Sequence, residues 1–339
     1  MSKIKMAILG CGGMASEHVR RFRKRDDVEI IALCDVDADR VLEWREKHLK
    51  DVEPVAQIFT DAAQMYREAK PDAVTIVTPH TMHFEHGKQA LDAGLHVLME
   101  KPMVTNSDDA HKLADIAEKS GKVFVVGFNT SCMPEFQWLR ETIQAGEAGN
   151  GELGKLQLVT GWLSQNWKKG TTGSWRQAPE LSGGGEMYDS GAHLFNSLIF
   201  SVNQPVAEVH AFVDNCGTPV DINGTVNIRF QNGVFATVTV AGDCTDGGTD
   251  MVLFFERGRA QLDPCGWSNT PIKIWKNGKA VRYPKIEGEP VTPTENFLDA
   301  IQGKDHVRAT AQNGILHSQL MDAIYESART GQTAKVKQA

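Results

Sequence analysis

Glycines near the start of the chain form the first pattern that could do chemistry. Residues 10–15 have the pattern GxGxxA, follow an apolar stretch at 4–9 and open a predicted helix at 13–25. Gly10 permits a tight turn, Gly12 lets backbone N–H groups approach a pyrophosphate, and the small final residue lets helix and strand pack closely. The pattern predicts a dinucleotide-binding turn.

An acidic residue at the end of the next predicted strand indicates which dinucleotide would bind. Asp35 follows the buried strand predicted for residues 28–34. A carboxylate at this place accepts hydrogen bonds from the adenosine ribose and repels the 2′-phosphate of NADP. The alternative is a strand-end turn residue without a ligand. We expect the cofactor to be NAD, with NADP the weaker candidate.

A lysine at the end of a later strand is a candidate for proton transfer. Glu100-Lys101-Pro102 follows the strand predicted at 95–99, and ligands bind at the carboxyl ends of parallel strands. A lysine there can relay a proton or stabilise an alkoxide. The alternative is an ordinary surface lysine.

An acid and an imidazole lie four residues apart in the second half of the chain. Asp189 and His193 fall within a helix predicted for residues 186–202. A carboxylate beside an imidazole can hold its tautomer or raise its pKa, although a helical Asp–His pair can also be a plain surface pair. The three glycines at 183–185 indicate either close backbone approach to another group or a flexible loop.

Tryptophans and cations are concentrated just before this segment. The tryptophans are Trp162, Trp167 and Trp175, and the cations among them are Lys168, Lys169 and Arg176. Flat aromatic faces pack on the C–H faces of sugar or cyclitol rings, and tethered cations bind hydroxyls or an acid. The alternative is that these tryptophans belong to a core or an interface.

The elements that must position these residues alternate in the first part of the chain. Predicted strands lie at 4–9, 28–34, 73–77, 95–99 and 122–128, with helices at 13–25, 37–50, 83–93 and 107–120. This alternation predicts an α/β fold with a doubly wound parallel sheet, a Rossmann domain over residues 1–128.

The pattern changes after residue 128. Strands are predicted at 156–162, 206–213, 225–230, 234–240, 250–255 and 272–275, with helices at 135–145, 186–202, 294–301 and 313–330. Asn-Gly hairpin signals at 231–233 and 276–278 favour antiparallel pairing. We expect residues 129–339 to form an α+β domain with an open, mostly antiparallel sheet.

Composition excludes several protein classes. The chain has 339 residues and a net charge of −7, so it would repel nucleic acid outside the basic cluster at 20–25, which suits a helix end. The six cysteines show no CxxC spacing, and no apolar run reaches 18 residues. We expect a reduced cytoplasmic protein without a nucleic-acid or membrane partner. We expect no metal site, and we do not interpret the histidines at 80, 83 and 86 as metal ligands.

The motifs together resemble the Gfo/Idh/MocA family, named after glucose–fructose oxidoreductase, inositol dehydrogenase and a rhizopine catabolism protein. The motifs are GxGxxA, Asp35, Thr78-Pro79 with His83, Glu100-Lys101-Pro102 and GGGxxxDxGxH at 183–193. The resemblance covers essentially the whole chain. It implies a Rossmann domain followed by an open-sheet domain that often mediates homodimers or homotetramers. It also implies hydride transfer from a secondary alcohol of a sugar or cyclitol to a nicotinamide.

The resemblance assigns roles to individual residues. Lys101 matches the catalytic lysine, Asp189 the acid of the helix, His193 the general base, and His83 a residue near the nicotinamide or the substrate. The expected cofactor-binding residues are Gly10, Gly12, Gly13, Met14, Asp35, Arg40, Thr78, Pro79, His83, Glu100, Lys101 and Asn129. The expected substrate-binding residues are Lys101, Trp162, Trp167, Trp175, Arg176, Tyr188, Asp189 and His193.

One segment departs from the family pattern. Many members carry GxxxRFxP where this chain has residues 127–134, and Ser131 and Cys132 replace the Arg and Phe. This departure indicates a different substrate subgroup. Two other functions stay open at this point: a glycosidase that oxidises a ring hydroxyl transiently with bound NAD, and a non-catalytic NAD-binding sensor.

Overall fold

The computed structural model describes residues 3–267, 271–281, 286 and 290–337. Its internal contacts divide the chain into two compact units. The first unit comprises Met1–Val104, Asp108–Gly127 and Thr292–Gln312. The second unit comprises Thr105–Ser107, Phe128–Val291 and Asn313–Ala339. The predicted domain boundary at 128 stays a prediction, and the division differs from it by grouping 292–312 with the first unit.

The first unit is built on a six-stranded parallel sheet. Its strands are β1 (Ile4–Leu9), β2 (Val28–Cys34), β3 (Gln57–Phe59), β4 (Ala73–Ile76), β5 (His96–Met99) and β6 (Phe124–Val126), in the spatial order β3-β2-β1-β4-β5-β6. Its helices are α1 (Gly13–Phe22), α2 (Ala38–Leu49), α3 (Ala62–Ala69), α4 (His83–Asp92), α5 (Ser107–Ser120) and, much later in the chain, α10 (Pro293–Ile301). The predicted doubly wound sheet is confirmed.

Burial explains which of these strands the sequence predicted. The strands β1, β4 and β5 inside the sheet and β6 at its edge are almost wholly buried, so their sequences are continuous apolar runs. The sequence analysis missed β3, whose three residues include one buried side chain and so give no run. It also missed α3, although Asp61 caps that helix by accepting a hydrogen bond from the Gln64 amide.

The second unit is built on a nine-stranded sheet. Its strands are β7 (Leu156–Ser164), β8 (Val206–Asp214), β9 (Asn223–Phe230), β10 (Phe235–Ala241), β11 (Gly248–Phe255), β12 (Gly258–Leu262), β13 (Lys273–Lys276), β14 (Lys279–Val281) and β15 (Ala334–Lys335). The spatial order is β14-β13-β12-β11-β7-β10-β9-β8-β15. Of these neighbouring pairs, β7–β10 is parallel and the others are antiparallel, which confirms the mostly antiparallel sheet.

Turn chemistry accounts for the hairpins of this sheet. The predicted turn at 231–233 joins β9 to β10, and the turn at 276–278 joins β13 to β14. Asn277 and Gly278 both have positive φ, the conformation that an Asn-Gly hairpin turn requires.

The helices of the second unit include one that carries a predicted site residue. They are α6 (Pro134–Glu147), α7 (Trp167–Gly170), α8 (Pro179–Ser182), α9 (Gly191–Val202) and α11 (Ala311–Thr330), the last beginning within the first unit's final segment. All residues of α9 are buried, and its Leu194 lies against Gly161 of β7. The prediction that this helix begins at 186 is wrong, because residues 186–190 form successive turns before it.

None of the helices in the described ranges combines the length and the apolar character that crossing a membrane requires.

Candidate active site

The glycine turn leaves the amino end of α1 accessible. Gly12 caps this helix through its backbone, and no side chain among the described residues caps it. A Cβ at Gly12 or Gly13 would meet no atom of the described residues within 4 Å, whereas a Cβ at Gly10 would lie 2.8 Å from the Val77 carbonyl oxygen. Gly10 also has a φ of +96°. The turn therefore fits a dinucleotide pyrophosphate, whose charge suits the N–H groups of a helix start.

Asp35 ties the end of β2 to this turn. One oxygen of its carboxylate accepts a hydrogen bond from the Cys11 amide at 2.9 Å. The other lies 3.3 Å from the Asp37 amide and 3.5 Å from the Arg40 guanidinium. Arg40 is largely exposed, as is Met14 in the first turn of α1. The predicted residues Asp35 and Arg40 thus lie together, with a carboxylate held beside the glycine turn.

Glu100 holds the backbone of the candidate lysine. One of its carboxylate oxygens lies 2.9 Å from Nε2 of His18, and the other accepts a hydrogen bond from the Lys101 amide at 3.1 Å. Burial opposes the ionised form, but the His18 hydrogen bond and the charges of His18 and Lys101 hold the pKa of Glu100 at about 2. Glu100 is therefore an ionised positioning group for Lys101.

His18 and its second partner are not among the residues predicted from the sequence. Nδ1 of His18 lies 2.9 Å from the Thr294 hydroxyl, which α10 supplies from far along the chain. His18 shares the buried face of α1 with Ala15, Val19 and Phe22. A polar residue on an otherwise apolar helical face is a signal that could have found it.

His83 lies between two segments that follow parallel strands. Its side chain is fully buried, and its ring nitrogens lie 2.8 Å from the Pro102 carbonyl and 2.9 Å from the Thr78 carbonyl. Burial also lowers its pKa. His83 thus links the segment after β4 to the segment after β5, which carries Lys101. Its predicted place near the nicotinamide or the substrate stays a prediction.

The predicted residues Thr78 and Pro79 follow β4. The Thr78 hydroxyl lies 2.9 Å from Nδ1 of His86. Burial lowers the pKa of His86 to about 4, so its ring is neutral near pH 7 and can accept this hydrogen bond. Pro79 precedes a short 3₁₀ turn at His80–Met82. This turn begins α4 close to the carboxyl end of the strand.

Three predicted site residues of the second unit meet at Asp189. The indole N–H of Trp167 and Nε–H of Arg176 each donate to the same carboxylate oxygen of Asp189, both at 2.9 Å. The Arg176 guanidinium also stacks over the Trp175 ring, 4.6 Å from its centre. Trp167 and Asp189 are buried and Arg176 is half-buried. The tryptophan-rich segment thus forms one cluster around a buried carboxylate, called the Asp189 cluster below.

His193 lies in the first turn of α9, and its ring is 5.7 Å from that of Trp267. It is largely buried. Asp189 precedes the helix, so helical i, i+4 geometry does not join the two residues as the sequence analysis assumed. The orientation of His193 by Asp189 stays a prediction.

Two predicted substrate residues lie elsewhere in this unit. Gly161 faces Leu194 of α9, so Trp162, the next residue of β7, points to the opposite, exposed face of the sheet. Tyr188 is fully buried and stacks on the Tyr325 ring. Substrate contact by Trp162 and Tyr188 stays a prediction.

The segment that departs from the family pattern is folded onto itself. Asn129 is half-buried just before a buried 3₁₀ turn at Thr130–Cys132. The Ser131 hydroxyl donates to the Phe128 carbonyl at 3.3 Å. The different substrate subgroup expected from this segment stays a prediction.

No group of three metal-binding side chains is assembled within the described ranges.

Family models match both halves of the chain. The model described as "Oxidoreductase family, NAD-binding Rossmann fold" matches residues 4–128. The model of the GFO/IDH/MocA C-terminal domain matches residues 136–261. The first match agrees with the glycine turn described above.

Two characterised relatives are similar over most of the chain. The D-glucoside 3-dehydrogenase of Escherichia coli K12 is 27% identical over 97% of this chain and 97% of its own. The inositol 2-dehydrogenase of Corynebacterium glutamicum is 32% identical over 82% of this chain and 78% of its own.

A solved structure agrees with the fold. The WlbA dehydrogenase of Bordetella pertussis, in complex with NADH and UDP-GlcNAcA, superposes with a TM-score of 0.83 at 20% identity, over 99% of this chain and 100% of that one. The family models and the 32% identical relative together show that the chain belongs to the Gfo/Idh/MocA family of oxidoreductases with an NAD-binding Rossmann fold.

Proposed function

We propose that the protein is an NAD-dependent dehydrogenase that oxidises a secondary alcohol of a sugar or cyclitol. The observation that carries the proposal is the glycine turn, which is open at Gly12 and Gly13 and has the Asp35 carboxylate tied to it. That carboxylate favours NAD, because it would repel the 2′-phosphate of NADP. The relatives named as glucoside and inositol dehydrogenases support the substrate class.

The chain's own residues would bind the substrate and move its proton. Bound nicotinamide supplies hydride acceptance from the carbinol carbon. We propose that His193 takes the hydroxyl proton as general base and that the Asp189 carboxylate favours its charged form. Lys101 stabilises the developing alkoxide through its charge or relays the proton. Glu100 fixes the Lys101 backbone through the hydrogen bond to its amide.

The Asp189 cluster favours a neutral substrate over an acidic one. Nε–H of Arg176 donates to Asp189 at 2.9 Å, and Lys168 forms an ion pair with Asp243 at 3.0 Å. Two of the three cations among the tryptophans are thus already compensated by carboxylates. Hydroxyl groups, which both donate and accept hydrogen bonds, suit such a cluster better than a carboxylate does.

The test is a substrate panel with the purified protein. NAD or NADP is mixed with inositols, neutral glycosides and uronates, and formation of the reduced cofactor is followed by absorbance. We expect NADH with at least one neutral polyol, with lower activity on the uronates. Absence of NADH with every candidate, despite measurable NAD binding, would contradict the proposal.

Two further measurements separate the dehydrogenase from the glycosidase and from the sensor. A glycosidase would release the aglycone from an aryl glycoside without net NADH. A sensor would bind NAD, and its properties would be indifferent to Lys101→Ala and His193→Ala. A dehydrogenase loses activity in both variants, and its His193→Ala variant retains NAD binding.

We also infer that a second copy of the chain covers the exposed face of the nine-stranded sheet. Four large apolar side chains lie on this face: Leu158, Trp162, Phe212 and Phe235. Leu158 and Phe235 are direct cross-strand partners. Exposed apolar side chains grouped in this way are typical of protein interfaces, and the family resemblance implies a homodimer or homotetramer.

A further inference from the structure

Three consecutive amides of the glycine-rich turn at 183–187 bind to Asp221, a residue between β8 and β9. The Gly185 amide donates to one carboxylate oxygen at 2.6 Å, and the Met187 amide donates to the other at 2.9 Å. The intervening Glu186 amide donates to the Asp221 main-chain carbonyl at 2.9 Å. One buried residue therefore satisfies a whole turn of backbone donors.

Tyr325 of α11 completes this arrangement. Its hydroxyl donates to the same Asp221 oxygen as Gly185 does, at 2.6 Å. Burial raises the pKa of Tyr325 well above its usual value, and the charge of Asp221 raises it further. The hydroxyl thus remains a donor across the whole working pH range. Charge-assisted hydrogen bonds of this kind are stronger than neutral ones.

The glycines of this turn are required by the same contacts. A Cβ at Gly185 would overlap the Asp221 carbonyl, and a Cβ at Gly184 would overlap the Tyr325 hydroxyl. Of the two interpretations left open by the sequence, close backbone approach is therefore the one that applies to these glycines. The group approached is part of the protein itself.

The clamped turn leads directly to Asp189 and α9. The Tyr188 and Asp189 amides donate to the Gly185 carbonyl at 3.2 and 3.0 Å. The Gly191 amide, at the start of α9, donates to the Glu186 carbonyl at 2.8 Å. Gly185 and Glu186 are two of the three residues that Asp221 holds by their amides. Through their carbonyls they hold Asp189 and the first turn of the helix that carries His193.

We propose that Asp221 and Tyr325 form a positioning clamp for the proton-transfer residues: the clamp fixes the turn at 185–187, which sets the place of Asp189 and of the amino end of α9 with His193. This inference rests on the proposed function for its kinetic consequences. Its structural consequences can be measured independently.

The primary variant is Asp221→Asn, which keeps the size of the side chain but replaces one acceptor oxygen with an NH₂ donor. We expect faster hydrogen exchange at the amides of 185–187. We also expect kcat to fall roughly 10- to 100-fold, since displacement of a catalytic group by about 1 Å costs on this order. The Kd for NAD should change less than about twofold, because Asp221 lies outside the residues that hold the cofactor. The pH profile of kcat should also shift, because the substitution changes the surroundings of His193.

Tyr325→Phe is the milder variant and removes only the hydroxyl donor. Its matched control is Tyr66→Phe in α3, because the buried Tyr66 hydroxyl makes no hydrogen bond with the described residues. We expect Tyr325→Phe to lower kcat about three- to tenfold and to shift its pH profile, in line with one charge-assisted hydrogen bond. Tyr66→Phe should leave kcat and its pH profile as in the wild type.

The outcomes separate this inference from the proposed function. A wild-type protein that oxidises none of the polyols overturns the proposed function. In that case the clamp is tested by hydrogen exchange at the amides of 185–187 and by an NMR titration of His193, each compared between the wild type and Asp221→Asn. An active wild type whose Asp221→Asn variant keeps its kcat, pH profile and amide protection overturns the clamp. Should Asp221→Asn fail to fold, comparison of Tyr325→Phe with Tyr66→Phe decides on the clamp by the same readouts.

Discussion

At the scale of single residues, the side chains that matter most are carboxylates, each held by backbone N–H groups. Asp35 accepts from the Cys11 amide, Glu100 from the Lys101 amide, and Asp221 from two amides of the glycine-rich turn. Each carboxylate fixes the backbone next to a candidate ligand-binding or catalytic residue. Substitution by the neutral amide isostere therefore tests each one with little change of shape.

Asp35→Asn should weaken discrimination between the two dinucleotides. Loss of the charge removes both the strong acceptor for ribose hydroxyls and the repulsion of a 2′-phosphate. We expect the Kd for NAD to rise roughly tenfold, which corresponds to one hydrogen bond to a charged group, and the Kd for NADP to fall or stay the same. Isothermal titration calorimetry with both cofactors measures this.

The matched control for this prediction is Asp37→Asn. Asp37 caps α2 by accepting from the Arg40 amide, and asparagine caps helices equally well. This variant removes a neighbouring charge but should change the affinity ratio less than about twofold. An unchanged ratio in Asp35→Asn would contradict the role given to Asp35.

Glu100→Gln should change how stability depends on pH. The pKa of Glu100 is lowered from 4.5 to about 2 in the folded chain, so its ionised form stabilises the fold above the unfolded pKa. This contribution is lost as the pH falls through the folded pKa. Between pH 5 and pH 2, the free energy of unfolding of the wild type should fall by roughly 3 kcal/mol more than that of the variant.

Urea unfolding at a series of pH values measures this difference. Glu118→Gln, on the exposed side of α5, is the control and should follow the wild type. If the free energy of unfolding of the wild type and of Glu100→Gln depended on pH in the same way, the His18–Glu100 pair would contribute no pH-dependent stability.

At the scale of elements, local patterns predicted the site where the partners are close in sequence. The glycine turn and Asp35 lie at the first strand–helix–strand unit, and their spacing is visible in the sequence. The partners of Glu100 and Asp221 cannot be found from local spacing, because His18 is 82 residues from Glu100 and Tyr325 is 104 residues from Asp221. The start of α9 was misplaced for the same reason, since Asp221 holds residues 185–187 in a turn that local propensity does not reveal.

Gly185→Ala should destabilise the second unit strongly. The added methyl would overlap the Asp221 carbonyl, so either the turn or the β8–β9 segment must move. We expect a loss of about 3 kcal/mol or more, at the upper end of what overpacking costs, measured by thermal or urea unfolding.

Gly170→Ala in α7 is the control for the glycine substitution. Within the part of the chain that the structure describes, a Cβ at Gly170 meets no atom within 4 Å, and this glycine is not among those with positive φ. The free energy of unfolding should change by about 0.5 kcal/mol or less. Equal stability of the two variants would argue against close packing of the glycine-rich turn.

At the scale of the whole molecule, the exposed sheet face leads to a prediction about assembly. Leu158→Lys places a charge among the apolar side chains of that face and should convert the assembled form to monomer. Light scattering coupled to size-exclusion chromatography measures this. Leu42→Lys, which changes a somewhat more exposed leucine on α2, should leave the assembly intact. A monomeric wild type would contradict the prediction directly.

The segment Thr292–Gln312 belongs to the first unit although it follows most of the second unit along the chain. Helix α10 packs against α1, β5 and β6, and the Val126 amide donates to the Ala309 carbonyl. His18 and Arg25 near the start of the chain likewise contact Thr294 and Asp299. On the ribosome, the cofactor-binding unit therefore cannot be completed until residue 312 has been synthesised. The core around β1 and α1 can therefore be completed only after the segment Thr292–Gln312 has been made.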